Sequence, residues 1–483
     1  MIRFYNTFSR KKEEFKPLKD NEVKIYTCGP TVYNYVHIGN LRSYIFADVL
    51  RRTLELAGFK VKQVINITDV GHLTSNEDEG EDKIEKGAKR ENKTPQEVAQ
   101  FYTKAFLTDI KKLNIEKPQI LPKASEHIKE MIALIEKIIA AGYAYETDDG
   151  IYFDTKKYKN YGLLSGQKID LKRRSRVGKI SGKKNPTDFA LWLKTVGKHK
   201  SHLMKWDSPW GEGFPGWHIE CSAMSQKYLG IKFDIHTGGV DHIPVHHENE
   251  IAQSYAANHK IPARFWMHGE FLRIGKKRMG KSEGNLLTLT ELEKKGYEPI
   301  VFRFLTLRNH YRSPMQFDEA KLKEAQTALN FLYSSLNRLK RPQSKTIIAE
   351  SSALSEKINQ AELKIKQSFF NDLNTPRVID ILFETAHYLN KLKSKDCIGE
   401  AEIKDALKRI FSLADSVLAI NLERLISEKD EIPSEVLRLA EERFEAKNSQ
   451  DYAKADKIRE EIEYKGYRIE DTKDKTSYRI MKK

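Results

Sequence analysis

Residues 275–282 read GKKRMGKS, which fits the phosphate-binding pattern G-x-x-x-x-G-K-S letter for letter. In a P-loop a strand runs into a glycine-rich turn that opens a helix, so backbone N–H groups cradle phosphates while the lysine, here Lys281, reaches the β and γ oxygens. Phe271, Leu272 and Ile274 supply a candidate strand, but Gly284 lies two residues past Ser282, where it weakens a helix and reads as a loop. The alternatives are a mobile basic loop, residues 278–282, that closes a nucleotide site built elsewhere, and a solvated charge run that matches by chance.

Cys28, Cys221, His246 and Glu250 form a second constellation. His246 and Glu250 are four residues apart on a predicted helix and so share a face. Two thiolates, an imidazole and a carboxylate suit tetrahedral Zn²⁺. The competing reading makes each cysteine a small buried hydrophobe. His247 is an alternative to His246, although no Glu follows it at four residues. The tetrapeptide HIGN, 37–40, places His37 and Asn40 at a predicted helix N-terminus, suited to a phosphate under attack. Gly238, Gly239 and Asp241 have the form of a glycine turn with an acid able to accept ribose hydroxyls, or of an ordinary turn.

These groups need elements to hold them. A short β-rich run at 23–26, a helical repeat through Leu41, Ile45 and Val49 ending at Gly58, and a second strand signal at 61–67 predict a βαβ unit, the place where open α/β sheets bind nucleotides. Residues 77–82 form an acidic loop and 94–113 a helix. Parallel-strand signals return at 233–236 and 265–268, so a long insert splits one sheet. After Phe317 the pattern is almost continuously helical, and Gly466 stops a last helix over 452–464.

The chain of 483 residues exceeds one core. Its three cysteines, Cys28, Cys221 and Cys397, are too few and too far apart for a disulfide framework. No apolar run approaches the roughly 18 residues of a membrane span and no signal-peptide core is seen, so a cytoplasmic protein without membrane contact is expected. Net charge is +16, concentrated at 156–205, where fifteen Lys/Arg face only Asp170 and Asp188. Interleaved with Tyr158, Tyr161, Phe189 and Trp192, that balance makes RNA a candidate partner.

HIGN early and RMGKS late, split by an insert, resemble the H-x-G-H and KMSKS signatures of class I aminoacyl-tRNA synthetases. Within that class the chain is similar to the cysteinyl-tRNA synthetase family, through YTCGPTVY at 26–33, NITD at 66–69, DFALW at 188–192, WDSPWG at 206–211, PGWHIECSAM at 215–224, HHENEIAQS at 246–254, YRSPM at 311–315, DYAKAD at 451–456 and IEDT at 469–472. The chain departs from the pattern at Asn40, Arg278 and Gly280, in the stretch after Asp69 that includes His72, and in the tail at Lys475 and Tyr478.

The resemblance implies that Cys28, Cys221, His246 and Glu250 hold one Zn²⁺ that binds the substrate thiolate, with Gly29, Thr68 and Trp217 lining the amino-acid pocket. It implies that His37, Asn40, Gly239, Asp241, Arg278, Lys281 and Ser282 bind ATP with Mg²⁺, and that His37, Asn40 and Lys281 serve catalysis. Activation of L-cysteine and transfer to tRNA(Cys) by a monomer are then expected. Anticodon bases would stack on Tyr467 or Tyr478.

The expected architecture is α/β. A Rossmann-like parallel-sheet domain (1–117 and 208–270) is interrupted by a basic connective peptide (118–207). A connecting subdomain (271–317), an all-α bundle (318–430) and a small anticodon-binding domain (431–483) follow. Three other readings compete: a cysteine:amino-sugar ligase of the same ancestry, a non-catalytic zinc-stabilised RNA-binding protein, and a P-loop ATPase. Cys397 has no assigned role.

Overall fold

An antiparallel hairpin, β1 (Arg3–Asn6) with β2 (Lys11–Glu14), leads into the first βαβ unit: β3 (Glu22–Thr27), α1 (Ile38–Leu56) and β4 (Lys60–Ile65). β3 and β4 pair in parallel from Glu22 opposite Lys60 to Thr27 opposite Ile65. His37 caps α1 with extended backbone, its ring accepting from the Asn40 N–H at 3.3 Å. Gly58, at φ +92°, lets the chain turn back directly after the helix. These statements, in a computed structural model, concern residues 1–70, 73, 80–166, 183–275, 277–278, 286–341, 352–427, 433–471 and 478–482. His72, Lys281, Ser282, Lys475 and residues 77–79 of the acidic loop lie outside them.

Two helices follow: α2 (Lys83–Glu91), capped by Asp82, and α3 (Pro95–Lys112), opened by a Thr94–Glu97 capping box with proline in its first turn. α4 (Ile128–Ala140) lies inside the stretch read from sequence as an insertion. Its Met131, Ile135 and Ile138 nonetheless share one buried cluster with Ile219, Met224 and Ile251. The remainder of that stretch supplies β5 (Ala144–Glu146), β6 (Gly150–Phe153) and β7 (Phe189–Lys194) of an antiparallel sheet whose last strand, β8 (Gly213–Pro215), lies beyond the expected boundary at 207, in the order β5-β6-β7-β8.

The second βαβ unit is β9 (Phe233–Gly239), α6 (His246–Asn258) and β10 (Ala263–Gly269), preceded by α5 (Trp217–Leu229). All four central strands are parallel, in the order β10-β9-β3-β4. β3 connects outward through α1 on one side and β9 through α6 on the other, so the order reverses between β3 and β9. The crevice at their carboxyl ends is the switch point where such sheets bind ligands.

β11 (Leu272–Ile274) pairs antiparallel with β12 (Lys277–Arg278), turning at Gly275 with φ +59°. The octet therefore opens as a hairpin. A P-loop strand would run on directly into a helix, whereas here it turns back into β12, and the next helix among the described residues, α7 (Leu289–Lys294), starts under its own Thr288 cap, so the P-loop reading is corrected. α8 (Pro299–Leu307) and β13 (Met315–Gln316) complete this region, and the helices α9 (Glu319–Lys340), α10 (Ser352–Phe370), α11 (Thr375–Ser394), α12 (Glu400–Ala406), α13 (Leu413–Leu418) and α14 (Leu422–Ser427) follow.

Residues Met1–Leu425 form one compact unit and Ile426–Lys483 another. The second consists of α15 (Ser434–Asn448), α16 (Tyr452–Tyr464) and the hairpin β14 (Tyr467–Asp471) with β15 (Tyr478–Lys482), around Val436, Leu439, Ile458, Ile462 and Ile469. Among the described residues no helix is long and apolar enough to cross a membrane.

Two arginines fasten α1 to the rest of the first unit. Arg42, 3% exposed, donates to the carbonyls of Glu270, Phe271, His310 and Ser313 at 2.6–3.2 Å. Arg303 of α8, fully buried, reaches Asp48 at 2.6 Å and the carbonyls of Leu113 and Leu418. Asp48 would keep its contact with Arg52 at 2.9 Å, but three buried acceptors would lose their Arg303 donor, so Arg303→Met is expected to lower unfolding stability by about 3–5 kcal/mol. Asp48→Asn together with Arg303→Met should recover part of that loss in a denaturant titration. Additivity within about 0.5 kcal/mol would disprove the coupling.

Candidate functional site

The switch point gathers most of the candidate residues into one cleft of about 960 Å³. Cys28 follows β3 directly, its N–H bonded to Thr237 of β9 at 3.2 Å. Cys221 lies in the second turn of α5, and His246 and Glu250 face the crevice from the first turns of α6. Their sulfur, nitrogen and oxygen ligand atoms all lie within 4.8 Å of one another, and all four residues are buried. Tetrahedral zinc, with bonds of about 2.0–2.3 Å, needs donors this close, and two sulfurs, one imidazole and one carboxylate are a donor set it accepts.

The surroundings orient these donors. His246 Nε2 lies 3.1 Å from Glu250 Oε1, while its Nδ1 meets His218 Nδ1 at 2.9 Å. The second Glu250 oxygen meets His236 Nε2 at 2.9 Å. Outer hydrogen bonds of this kind fix ring orientation and donor basicity in metal sites. Charge is distributed in the same sense. A hydrogen bond from Cys28 draws the Cys221 thiol down to about 6, whereas burial pushes Cys28 up. Burial works against charge on His246, yet Cys221 and Glu250 raise it to about 10. Burial likewise opposes ionisation of Glu250, and His236 and His246 hold it well below the usual carboxylate range. The cluster thus holds Cys221 as a thiolate and Glu250 as a carboxylate, while Cys28 and His246 each keep a proton that a metal would have to displace, so binding would release protons.

His247 is drawn in as well. Its Nε2 lies 3.2 Å from Cys28 Sγ, and Cys28, His236, His247 and Glu250 make a second compact donor group that shares two members with the first. His218 and His236 escaped notice in sequence because their partners are remote in the chain. The signal was available only as a histidine in each of the segments WHIEC and FDIH.

Beside the cluster, Gly29 donates its N–H to Asn66 Oδ1 at 2.8 Å, and a Cβ built on Gly29 would lie 1.5 Å from the Asn66 carbonyl oxygen. Thr68, 2% exposed, accepts from Asn66 Nδ2 at 3.1 Å. Trp217 stacks on His246 with ring centroids 4.3 Å apart. At the N-terminus of α1 and the end of β9, His37, Asn40, Gly239 and Asp241 line the same cleft. Gly239 lets the Asp241 carboxylate approach, since a Cβ there would be 2.3 Å from Oδ1. Ile38 donates to the Leu287 carbonyl at 2.8 Å and His37 bridges Thr288. Arg278 is placed in β12 by its backbone. The N-terminal end of α1 therefore pairs with the chain segment just beyond the signature residues.

The tail tyrosines are not free platforms. Tyr478 packs on Phe444 with centroids 5.4 Å apart, and it and Tyr467 are half-buried against the small core. Tyr464, 93% exposed, is the open ring of that unit, with Tyr452 at 59%.

With this geometry in view, residues 14–327 match the family described as tRNA synthetases class I (C) catalytic domain. The chain is 42% identical over 488 residues to the cysteine–tRNA ligase of Chlorobaculum tepidum, covering 98% of each sequence. It is 41% identical over 480 residues to that of Thermococcus onnurineus, covering 98% of this chain and 97% of the other. Among solved structures, Mycobacterium tuberculosis methionyl-tRNA synthetase in complex with methionyl-adenylate matches with a TM-score of 0.61 at 14% identity, over 84% of this chain and 93% of that one. At that identity the likeness is one of fold.

Gly29→Ala tests how tightly the wall of the cleft is built. The added methyl meets backbone rather than a movable side chain, so a loss of about 1–3 kcal/mol in denaturant stability is expected. No loss would mean that the strand end yields freely.

Proposed function

The chain belongs to the class I tRNA synthetases and, within them, to the cysteine–tRNA ligases, and from that premise we propose how its cleft divides the work. The enzyme joins L-cysteine to ATP, forming cysteinyl-adenylate and pyrophosphate, and then passes the cysteinyl group to the terminal adenosine of tRNA. In the first step a carboxylate oxygen of cysteine attacks the α-phosphorus and the bond to the β-phosphate oxygen breaks. In the second a ribose hydroxyl attacks the activated carbonyl and AMP leaves.

Negative charge grows on the phosphate oxygens as the first step proceeds. The N-terminus of α1, with His37 and Asn40, is aimed into the cleft where backbone and side-chain donors act on such charge. Asp241 is suited to ribose hydroxyls. By family resemblance Lys281, with Arg278 and Ser282, meets the departing pyrophosphate, and Mg²⁺ accompanies the nucleotide.

Selectivity belongs to the other wall. Cys28, Cys221, His246 and Glu250 are the residues that would hold Zn²⁺. When bound there, zinc supplies a soft Lewis acid that takes a thiolate in preference to a hydroxyl. Gly29, Thr68 and Trp217 would confine the small side chain beside it. Packing alone discriminates by only about 1–3 kcal/mol, so rejection of serine needs a sulfur-specific contact.

The observation that carries this reading is the convergence of the buried four-donor cluster and the α1 N-terminus on one switch-point crevice. Near-complete coverage of the cysteine–tRNA ligases, the C-terminal unit included, favours RNA over an amino sugar as acceptor. The enzyme is expected to exchange pyrophosphate into ATP when cysteine is present and to lose that exchange to a strong zinc chelator. Cys221→Ser should lower the zinc content per chain and narrow the preference for cysteine over serine at least tenfold. Cys397→Ser should change neither. Unaltered zinc content and selectivity in Cys221→Ser would refute the zinc assignment.

A further inference from the structure

The outer part of the cleft carries a feature that amino-acid activation does not use. α2 presents Lys83, Lys86 and Arg90 to the cleft wall. They are spaced three and then four residues apart, which sets them along one face of the helix over about 10 Å. Its opposite face, with Ile84 and Ala88, is buried. Gly87 seats the helix closely against the segment at Tyr33, since a Cβ there would be 3.0 Å from the Tyr33 carbonyl oxygen. Lys86 has no hydrogen bond or ion pair among the described residues.

Beside this cationic face lie three aromatic rings in edge contact. Tyr35, Phe101 and Tyr102 have centroids 5.1–6.1 Å apart. Tyr102 is buried, but Tyr35 and Phe101 are each 44% exposed. Lys93 Nζ lies 4.7 Å over the Phe101 ring. Glu91, the acid nearest the rings, is already engaged: it accepts from Arg90 at 2.7 Å, from Lys93 at 3.2 Å and from the Tyr102 hydroxyl. Its carboxylate orders the two cations around the rings.

Exposed rings flanked by a row of cations are the chemistry that holds single-stranded nucleic acid, with bases stacking on the rings and phosphates following the charges. Tyr35 and α2 line the same cleft as Trp217 and Cys28, so a strand lying on them would end beside the activated amino acid. We propose that Tyr35, Phe101, Lys93 and the cationic face of α2 form a platform for the single-stranded 3′ end of the tRNA. This rests on the catalytic reading above.

The test separates the two half-reactions in the full chain. Phe101→Ala and Lys93→Glu should leave cysteine-dependent pyrophosphate exchange within about twofold of the unmodified enzyme. Transfer from preformed cysteinyl-adenylate should fall about tenfold, the effect of losing one stacked base, and Phe101→Trp should restore it. The affinity advantage of intact tRNA over tRNA lacking its single-stranded 3′ end should shrink in Phe101→Ala. Unchanged transfer would overturn the platform, and so would a parallel fall in exchange, which would assign these rings to ATP or cysteine. Absence of exchange in the unmodified chain would instead overturn the catalytic reading.

Discussion

The parallel pairing of β3 with β9, Ile25–Thr27 against Ile235–Thr237, is the contact on which the rest of the molecule depends. It joins segments about two hundred residues apart, and it sets Cys28, at the end of one strand, against the glycine turn that ends the other. α1 and α6 depart from those strands in opposite directions, so the crevice between them has a helix N-terminus on one wall and the buried cluster of Cys28, Cys221, His246 and Glu250 on the other. A one-residue slip in this register would move Cys28 about 3.3 Å along the strand relative to the glycine turn and send every side chain of β3 to the other face. The buried Thr27–Thr237 hydroxyl contact at 2.8 Å marks the register from within the sheet.

Burial makes the cluster demanding. Cys28, Cys221, His246 and Glu250 are no more than 8% exposed, in surroundings that penalise every isolated charge. They are tolerable only as a mutually compensating set, with His218 and His236 completing the hydrogen bonds. Neutralising the set with a soft cation is the arrangement most consistent with its composition. The same economy is seen at Arg42, whose guanidinium is buried against four carbonyls. Those carbonyls belong to segments that flank β11 and β13, so Arg42 ties α1 to the base of the signature hairpin.

The GKKRMGKS octet shows how a motif changes meaning with its setting. Gly275 has the conformation a hairpin turn requires, not the approach of a backbone to phosphate. His37 and Ile38 bridge Thr288 and Leu287, so the segment beyond the signature returns to the helix that carries His37.

Periodicity made the βαβ unit, the helical character of the later chain and the shared face of His246 and Glu250 readable from sequence, because these patterns are local and their periods of 2 and 3.6 differ. Residue chemistry likewise nominated the four donors and the HIGN helix start. What sequence could not contain was distance. That His236 supports Glu250, that His247 approaches Cys28, that α4 shares the core of α5 and α6, and that Tyr478 packs on Phe444 all depend on chain crossings that leave no local mark. The tertiary structure decided these because burial and ion pairing act between surfaces, and only the closed sheet brings the surfaces together.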